Sequence, residues 1–283
     1  MSIKISIITP VYNSAKTLEK TILSVIQQDI KVELEYIVVD GGSTDGSLDI
    51  INRYRERIDG IISEKDRGVY DAMNKGIALA TGEIVGIINA DDWYNPGALQ
   101  IVEDGFAQNP TADIVYSPVE TYFNGEYLIR FIPGSLERLP FKFILNHPSC
   151  FIKKQVYDRL GTYDLTYSIA ADYDFILRAY SSGCSFHYVE SPLASYSLNG
   201  LSGKPLAKFQ QIHQSWQVGR QYIAQQQPQL SGEHQRFYLG WLLKEMTVFP
   251  VKHFVNPHRA RQLKALLRKA MGGSLPSDQY GAW

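Results

Sequence analysis

Two adjacent carboxylates, Asp91 and Asp92, lie near the end of the stretch EIVGIINADDWY, residues 83–94. Ile84, Val85, Ile87 and Ile88 before them have the apolar character of a strand buried on both faces. Neighbouring carboxylates at the end of such a strand disfavour each other's charge, so water, a helix N-terminus or a cation must relieve them. Asp40 stands in a similar place at the end of EYIVVD, and Asp66 follows GIISEK. Acidic oxygen sites of this kind suit Mg²⁺ or Mn²⁺, which take one or two carboxylates together with substrate phosphates. The glycine patterns that cradle phosphates are missing: the turn after the first apolar run reads TPVYN, with neither G-x-G-x-x-G nor G-x-x-x-x-G-K-[ST]. A bound diphosphate is therefore expected to be held through a divalent metal rather than by backbone amides.

The elements that must position these acids alternate. Strands are expected at Ile3–Thr9, Glu35–Val39, Gly60–Ser63 and Glu83–Ile88. Helices are expected at Ser14–Gln28, capped by Asn13 or Ser14, at Gly46–Ile58 and at Val69–Ala80, with a further one opened by Asn95 as cap and Pro96 in its first turn. This alternation predicts an α/β fold with a mostly parallel sheet and helices on both faces. Open parallel sheets bind ligands at the carboxyl ends of their strands, so Asp40, Asp66, Asp91 and Asp92 should meet along one edge. After residue 110 the pattern changes. Asp113–Glu120 and Thr121–Phe131 read as strands, with Asn124-Gly125 a good two-residue hairpin turn. A short strand Ser149–Ile152 and a helix Ala170–Ser181 follow, and from about Lys204 the chain reads as helical. The implied organisation is a catalytic domain, 1–203, with a nucleotide-binding half 1–110 and an acceptor-side half 111–203, followed by a helical C-terminal extension, 204–283.

The 283 residues are 45% apolar and 20% charged, as in a soluble globular protein. A net charge of −1 and acidic strand ends argue against nucleic acid as a partner. Cys150 and Cys184 lie far apart in apolar segments and read as buried free thiols, which fits a reducing, cytoplasmic compartment. MSIKISIITP has no signal-peptide pattern, and no apolar run has the length of a membrane span.

Five segments in order, TPVYN (9–13), VVDGGSTDGS (38–47), GVYDAMNKG (68–76), NADD (89–92) and ADYDFILRA (171–179), resemble family 2 glycosyltransferases. The likeness spans roughly residues 3–202 and is strongest to bacterial members that build capsule, exopolysaccharide or lipopolysaccharide sugars. It implies the GT-A fold and inverting transfer from a nucleotide-diphospho-sugar. It further implies that Pro10 and Tyr12 flank the nucleobase, that Asp40 accepts a base N–H and that Asp66 is a further nucleotide contact. Asp91 matches the usual metal ligand, Asp92 would hold ribose or sugar or act as a second ligand, and Asn89 replaces the first acid of the family's D-x-D. Asp172 matches the catalytic base, with Ala171 where relatives usually have an acid. Asp174 is the competitor, but it can pair with Arg178 one turn on. Met73 stands where many relatives have an arginine. His147 and Asn199–Ser202 resemble acceptor-side and lid segments.

Several of these assignments have a plainer alternative. Tyr12 could be a core aromatic, Asp40 a turn-former, Asp66 a solvated charge, Asp92 a helix cap and Asp172 a helix-dipole partner. The tail contributes Lys252, Arg259, Arg261, Lys264, Arg268 and Lys269 with no acid between Glu245 and Asp278. Pro257–Met271 reads as a basic amphipathic helix, suited to an anionic membrane surface through 252–271, on the inner face of the cytoplasmic membrane, or to packing on the domain. Taken together, the sequence points to an inverting, metal-dependent glycosyltransferase using Mn²⁺ or Mg²⁺, a UDP- or GDP-sugar donor and a glycan or lipid-linked acceptor. The rivals are a sugar-phosphate nucleotidyltransferase, disfavoured because TPVYNSAK lacks a glycine-rich basic loop, and a non-catalytic sugar-nucleotide or glycan-binding module.

Overall fold

The structure is a computed structural model and describes residues 3–29, 33–198 and 205–254. A seven-stranded sheet forms the centre. Its first four strands are β1 (Lys4–Val11), β2 (Glu33–Asp40), β3 (Gly60–Ser63) and β4 (Ile84–Ile87). These four run parallel, so their carboxyl ends lie along one edge. A two-residue strand, β5 (Trp93–Tyr94), belongs to a second sheet. β6 (Ile114–Tyr116), β9 (Cys150–Lys153) and β10 (Phe186–Tyr188) complete the large sheet in the order β10-β6-β9-β4-β1-β2-β3. β9 is antiparallel to both β4 and β6. Its first residue, Cys150, therefore lies at the same edge as the ends of β1 to β4. The second sheet has the order β5-β11-β7-β8, with β7 (Val119–Phe123), β8 (Glu126–Phe131) and β11 (Ala194–Ser197).

Alternation along the strands divides the core into two layers. Ile8, Ile37 and Val39 face one cluster, while Ile7, Tyr36 and Val38 face the other. The first layer is covered by α3 (Val69–Leu79), α5 (Lys154–Leu160) and α6 (Ala171–Ser181), the second by α1 (Leu18–Ile26), α2 (Ser47–Arg53) and α4 (Ala98–Gln108). Two long helices, α7 (Pro205–Gln226) and α8 (Ser231–Phe254), follow the sheets. α7 packs on α6 and α8 packs on α7.

The hairpin at Asn124-Gly125 is present, with Phe123 paired to Glu126, but the expected strand Asp113–Glu120 is divided between β6 in the large sheet and the start of β7 in the second, and Thr121–Phe131 between β7 and β8. Some boundaries differ for identifiable reasons. α1 begins at Leu18, and Asn13 and Ser14 do not cap it: the Asn13 side chain accepts from Thr44 N instead. α4 begins at Ala98 behind a left-handed Gly97. Asn95 is not its cap, because the Asn95 side chain accepts from Ser195 Oγ at 2.7 Å and donates to Pro192 O at 2.9 Å. The expected Gly46–Ile58 helix is split into α2 and a 3₁₀ turn at Arg55–Arg57. β5, β10, β11 and α5 had no counterpart in the sequence reading. Both cysteines are buried and free. The tail segment 257–271 lies outside the described residues.

Candidate active site

The loops after β1 and β2 are stitched together. Ser43 Oγ accepts from Asn13 N, Ser47 Oγ accepts from Ser14 N and Asp45 accepts from Ala15 N at 2.9 Å. Pro10 is buried within β1, paired with Val39. Tyr12, just past the strand, is 63% exposed, which removes the reading of it as a core aromatic. Asp40, at the end of β2, is wholly buried. Its oxygens accept from Gly42 N and Ser43 N at 3.2 Å and from Ser63 Oγ at 2.8 Å, so the turn-forming bond weighed as the plain alternative is present. Asp66 lies beside this turn and is not a freely solvated charge. A β-carbon on Gly41 would come within 2.3 Å of its Oδ2, and its Oδ1 accepts from Gly68 N at the start of α3.

The NADD segment follows β4. Asp92 is 1% exposed, with Oδ1 accepting from Ser197 N at 2.8 Å and Oδ2 from Asn89 Nδ2 at 3.1 Å. It therefore joins β4 to the end of β11 across the two sheets rather than capping α4. Burial, reinforced by the charge of Asp91, pushes the Asp92 carboxyl well above the ordinary range. Burial also raises that of the partly exposed Asp91. The strand-end repulsion expected from the sequence is thus present. Because Asn89 gives its amide nitrogen to Asp92, its Oδ1 is left buried without a partner among the described residues. That orphaned oxygen and the Asp91 carboxylate are hard donors of the kind that Mn²⁺ or Mg²⁺ takes, so the residues present fit a divalent cation. Among the described residues no three acidic, histidine or cysteine side chains form a metal cage, so phosphate and water would have to complete the coordination.

Asp172 opens α6, and its Oδ1 accepts from Tyr70 Oη at 2.9 Å and from Tyr173 N at 2.9 Å. Burial raises its carboxyl to about 6, against the two hydrogen bonds that favour the anion. Asp174 is engaged elsewhere, with Oδ2 accepting from Arg178 Nε at 2.8 Å, the pairing expected from the spacing. Sequence reasoning missed the residues that hold Asp172 in place. Tyr70 reaches it from the first turn of α3. Asn74, one turn further along, accepts from Tyr163 N at 3.0 Å and donates to Tyr163 O at 2.8 Å. Tyr70, Met73 and Ile77 form the buried side of α3. A hydroxyl on such a side must find a partner, and that was the available signal. Met73 is packed in the core and faces no open site. His147 shares a 2.7 Å hydrogen bond with Tyr163 Oη, and burial lowers its imidazole to about 4. Asn199–Ser202 lie outside the described residues.

The model of the family described as "Glycosyl transferase family 2" matches residues 6–160. A "PGL/p-HBAD biosynthesis glycosyltransferase" of Mycobacterium bovis is 35% identical over 208 residues, covering 70% of this chain and 78% of its own. An "Uncharacterized glycosyltransferase Rv1514c" of Mycobacterium tuberculosis is 30% identical over 77% of this chain and 85% of its own. Among solved structures, S. aureus TarS 1-349 in complex with UDP aligns with a TM-score of 0.64 at 18% identity, over 92% of this chain and 78% of its own. The longer TarS structure is spanned over only 43% of its length. The mannosyltransferase PcManGT of Pyrobaculum calidifontis, in complex with GDP-Man and Mn2+, aligns with a TM-score of 0.63 at 20% identity, over 99% of this chain and 78% of its own. At these identities the solved structures establish the shared fold.

Proposed function

The chain belongs to glycosyl transferase family 2, and from that premise we propose that it is an inverting, metal-dependent enzyme. It moves a sugar from a UDP- or GDP-linked donor to a hydroxyl of a glycan or lipid-linked acceptor, in the synthesis of surface polysaccharide or glycolipid. The observation that carries the reading is the joint placement of the acidic strand ends on one edge and of Asp172 on a helix tied to that edge by Tyr70. Solved structures of the same fold hold UDP, UDP-GlcNAc or GDP-Man.

In this reading residues 1–110 bind the donor and 111–203 the acceptor. Tyr12 offers an exposed ring to the base beside Pro10, Asp40 accepts a base N–H alongside its turn bonds, and Asp66 supports that turn and the ribose. Asp91 and the Asn89 oxygen would hold the cation, and Asp92 keeps Asn89 in place and is itself held by Ser197 N. When bound, the cation supplies Lewis-acid stabilisation of the leaving diphosphate, worth roughly several kcal/mol. Asp172 accepts the proton of the acceptor hydroxyl as its oxygen attacks the anomeric carbon from the face opposite the diphosphate. The bond to the diphosphate breaks, and the configuration inverts. Positioned proton removal of this kind contributes about 10²–10⁴ in rate.

Calorimetric titration with UDP and with GDP, each with and without Mn²⁺, tests the reading on wild type and Asp91→Asn. One nucleotide is expected to bind only with metal, and the variant to lose that binding. The metal-free variant should melt at a higher temperature than metal-free wild type at neutral pH, because a carboxyl raised by burial costs stability once ionised. Absence of nucleotide binding under every condition would remove the donor assignment.

A further inference from the structure

Two lysines lie against one aromatic ring, and two further cations stand nearby. Lys142 Nζ lies 5.8 Å and Lys208 Nζ 5.5 Å from the ring centroid of Trp241. Arg138 is one helical turn before Lys142, with its guanidinium 5.9 Å from the Phe141 ring, and Lys142 N donates to Arg138 O at 3.0 Å. Phe141, Phe237 and Trp241 form a continuous aromatic floor, at centroid separations of 6.0 and 6.2 Å. Lys244 follows Trp241 on α8 and adds its charge to the group. Among the described residues, Arg138, Lys142 and Lys244 form no ion pair. Burial first, then the charges of Lys208, Lys244 and Arg138, lowers the Lys142 ammonium to about 8. Cation–π contact alone offsets little of this. An anion would relieve the repulsion and satisfy the Lys142 donors together.

The position of the cluster indicates which anion. The segment that carries Arg138 and Lys142 also covers the helix of the catalytic base. Tyr173, next to Asp172, donates its hydroxyl to Leu139 O, and its ring stacks on Phe143 at 5.6 Å. We propose that Arg138, Lys142, Lys208 and Lys244, gathered beside the Phe141–Phe237–Trp241 floor, form an anion site for a phosphate or diphosphate group of the acceptor. The inference rests on the glycosyltransferase reading and narrows its acceptor to one that carries phosphate on the part held between the Arg138–Lys142 segment and the helices α7 and α8.

The test titrates inorganic pyrophosphate into the full chain in EDTA, so that metal-dependent donor binding takes no part, on wild type and on Lys142→Gln/Lys244→Gln. Wild type should bind saturably and less well as salt rises. The double variant should bind about tenfold more weakly or worse. UDP or GDP binding with Mn²⁺ should be equal in both, which shows the variant folded and keeps the donor reading separate. Farnesyl diphosphate should displace pyrophosphate, whereas phosphatidylglycerol vesicles should not. Equal pyrophosphate affinity in the variant, or no binding to wild type, would overturn the site. Displacement by the vesicles would make it a lipid-headgroup site and overturn the acceptor assignment.

Discussion

At Asp172 two effects oppose each other. Desolvation disfavours the carboxylate, while hydrogen bonds from Tyr70 Oη and Tyr173 N favour it. The balance at about 6 leaves the group ionised at neutral pH yet basic enough to take a proton as the acceptor attacks. The acid limb of kcat/KM should therefore fall away below an apparent pKa of about 6. Asp172→Asn should lower kcat by about 10²–10⁴. Tyr70→Phe removes a bond that favours the anion, so it should move that limb to higher pH while leaving nucleotide affinity unchanged. A pH–rate profile of both variants decides the assignment; an acid limb unmoved by Tyr70→Phe would show that Asp172 is not the titrating base.

α3 shows what the GVYDAMNKG segment does as an element. Its glycine at 76 lets the helix lie directly on β1, since a β-carbon there would stand 2.4 Å from Ile8 Cγ2. Tyr70 then reaches Asp172 and Asn74 holds the Tyr163 loop. Gly76→Ala cannot be relieved by a flexible side-chain end, because Ile8 is wholly buried in the central strand. The helix must shift, at a cost of about 1–3 kcal/mol, read as a fall in Tm of several degrees. The same shift carries Tyr70 with it and should lower kcat. An unchanged Tm would mean that α3 does not rest on β1 as described.

Over the whole molecule a net charge of −1 is divided between an acidic sheet edge and basic regions elsewhere. No helix among the described residues is long and apolar enough to cross a membrane. We propose that contact with an anionic membrane runs through the basic tail, 252–271, at roughly 1 kcal/mol per cation near the lipid. Deleting 252–283 should abolish co-sedimentation with anionic liposomes and leave donor binding intact. Retained co-sedimentation would assign the tail to packing.

Spacing along the chain was enough for whatever depends on near neighbours. The parallel strands that lead to Asp40, Asp66 and Asp91 were legible from strand–helix alternation, and the Asn124-Gly125 turn and the Asp174–Arg178 pair from local spacing. The family motifs added an ordered set of candidate site residues that no local pattern contains. Tertiary structure alone decided that β9 enters antiparallel between β4 and β6, that Asn95 ties down Ser195 instead of capping α4, and that Asp92 is committed to Ser197. It also decided that Tyr70 holds Asp172 across 102 residues of chain. Such pairings depend on which surfaces come together once both core layers are packed. A one-dimensional pattern records separations along the chain and not those distances.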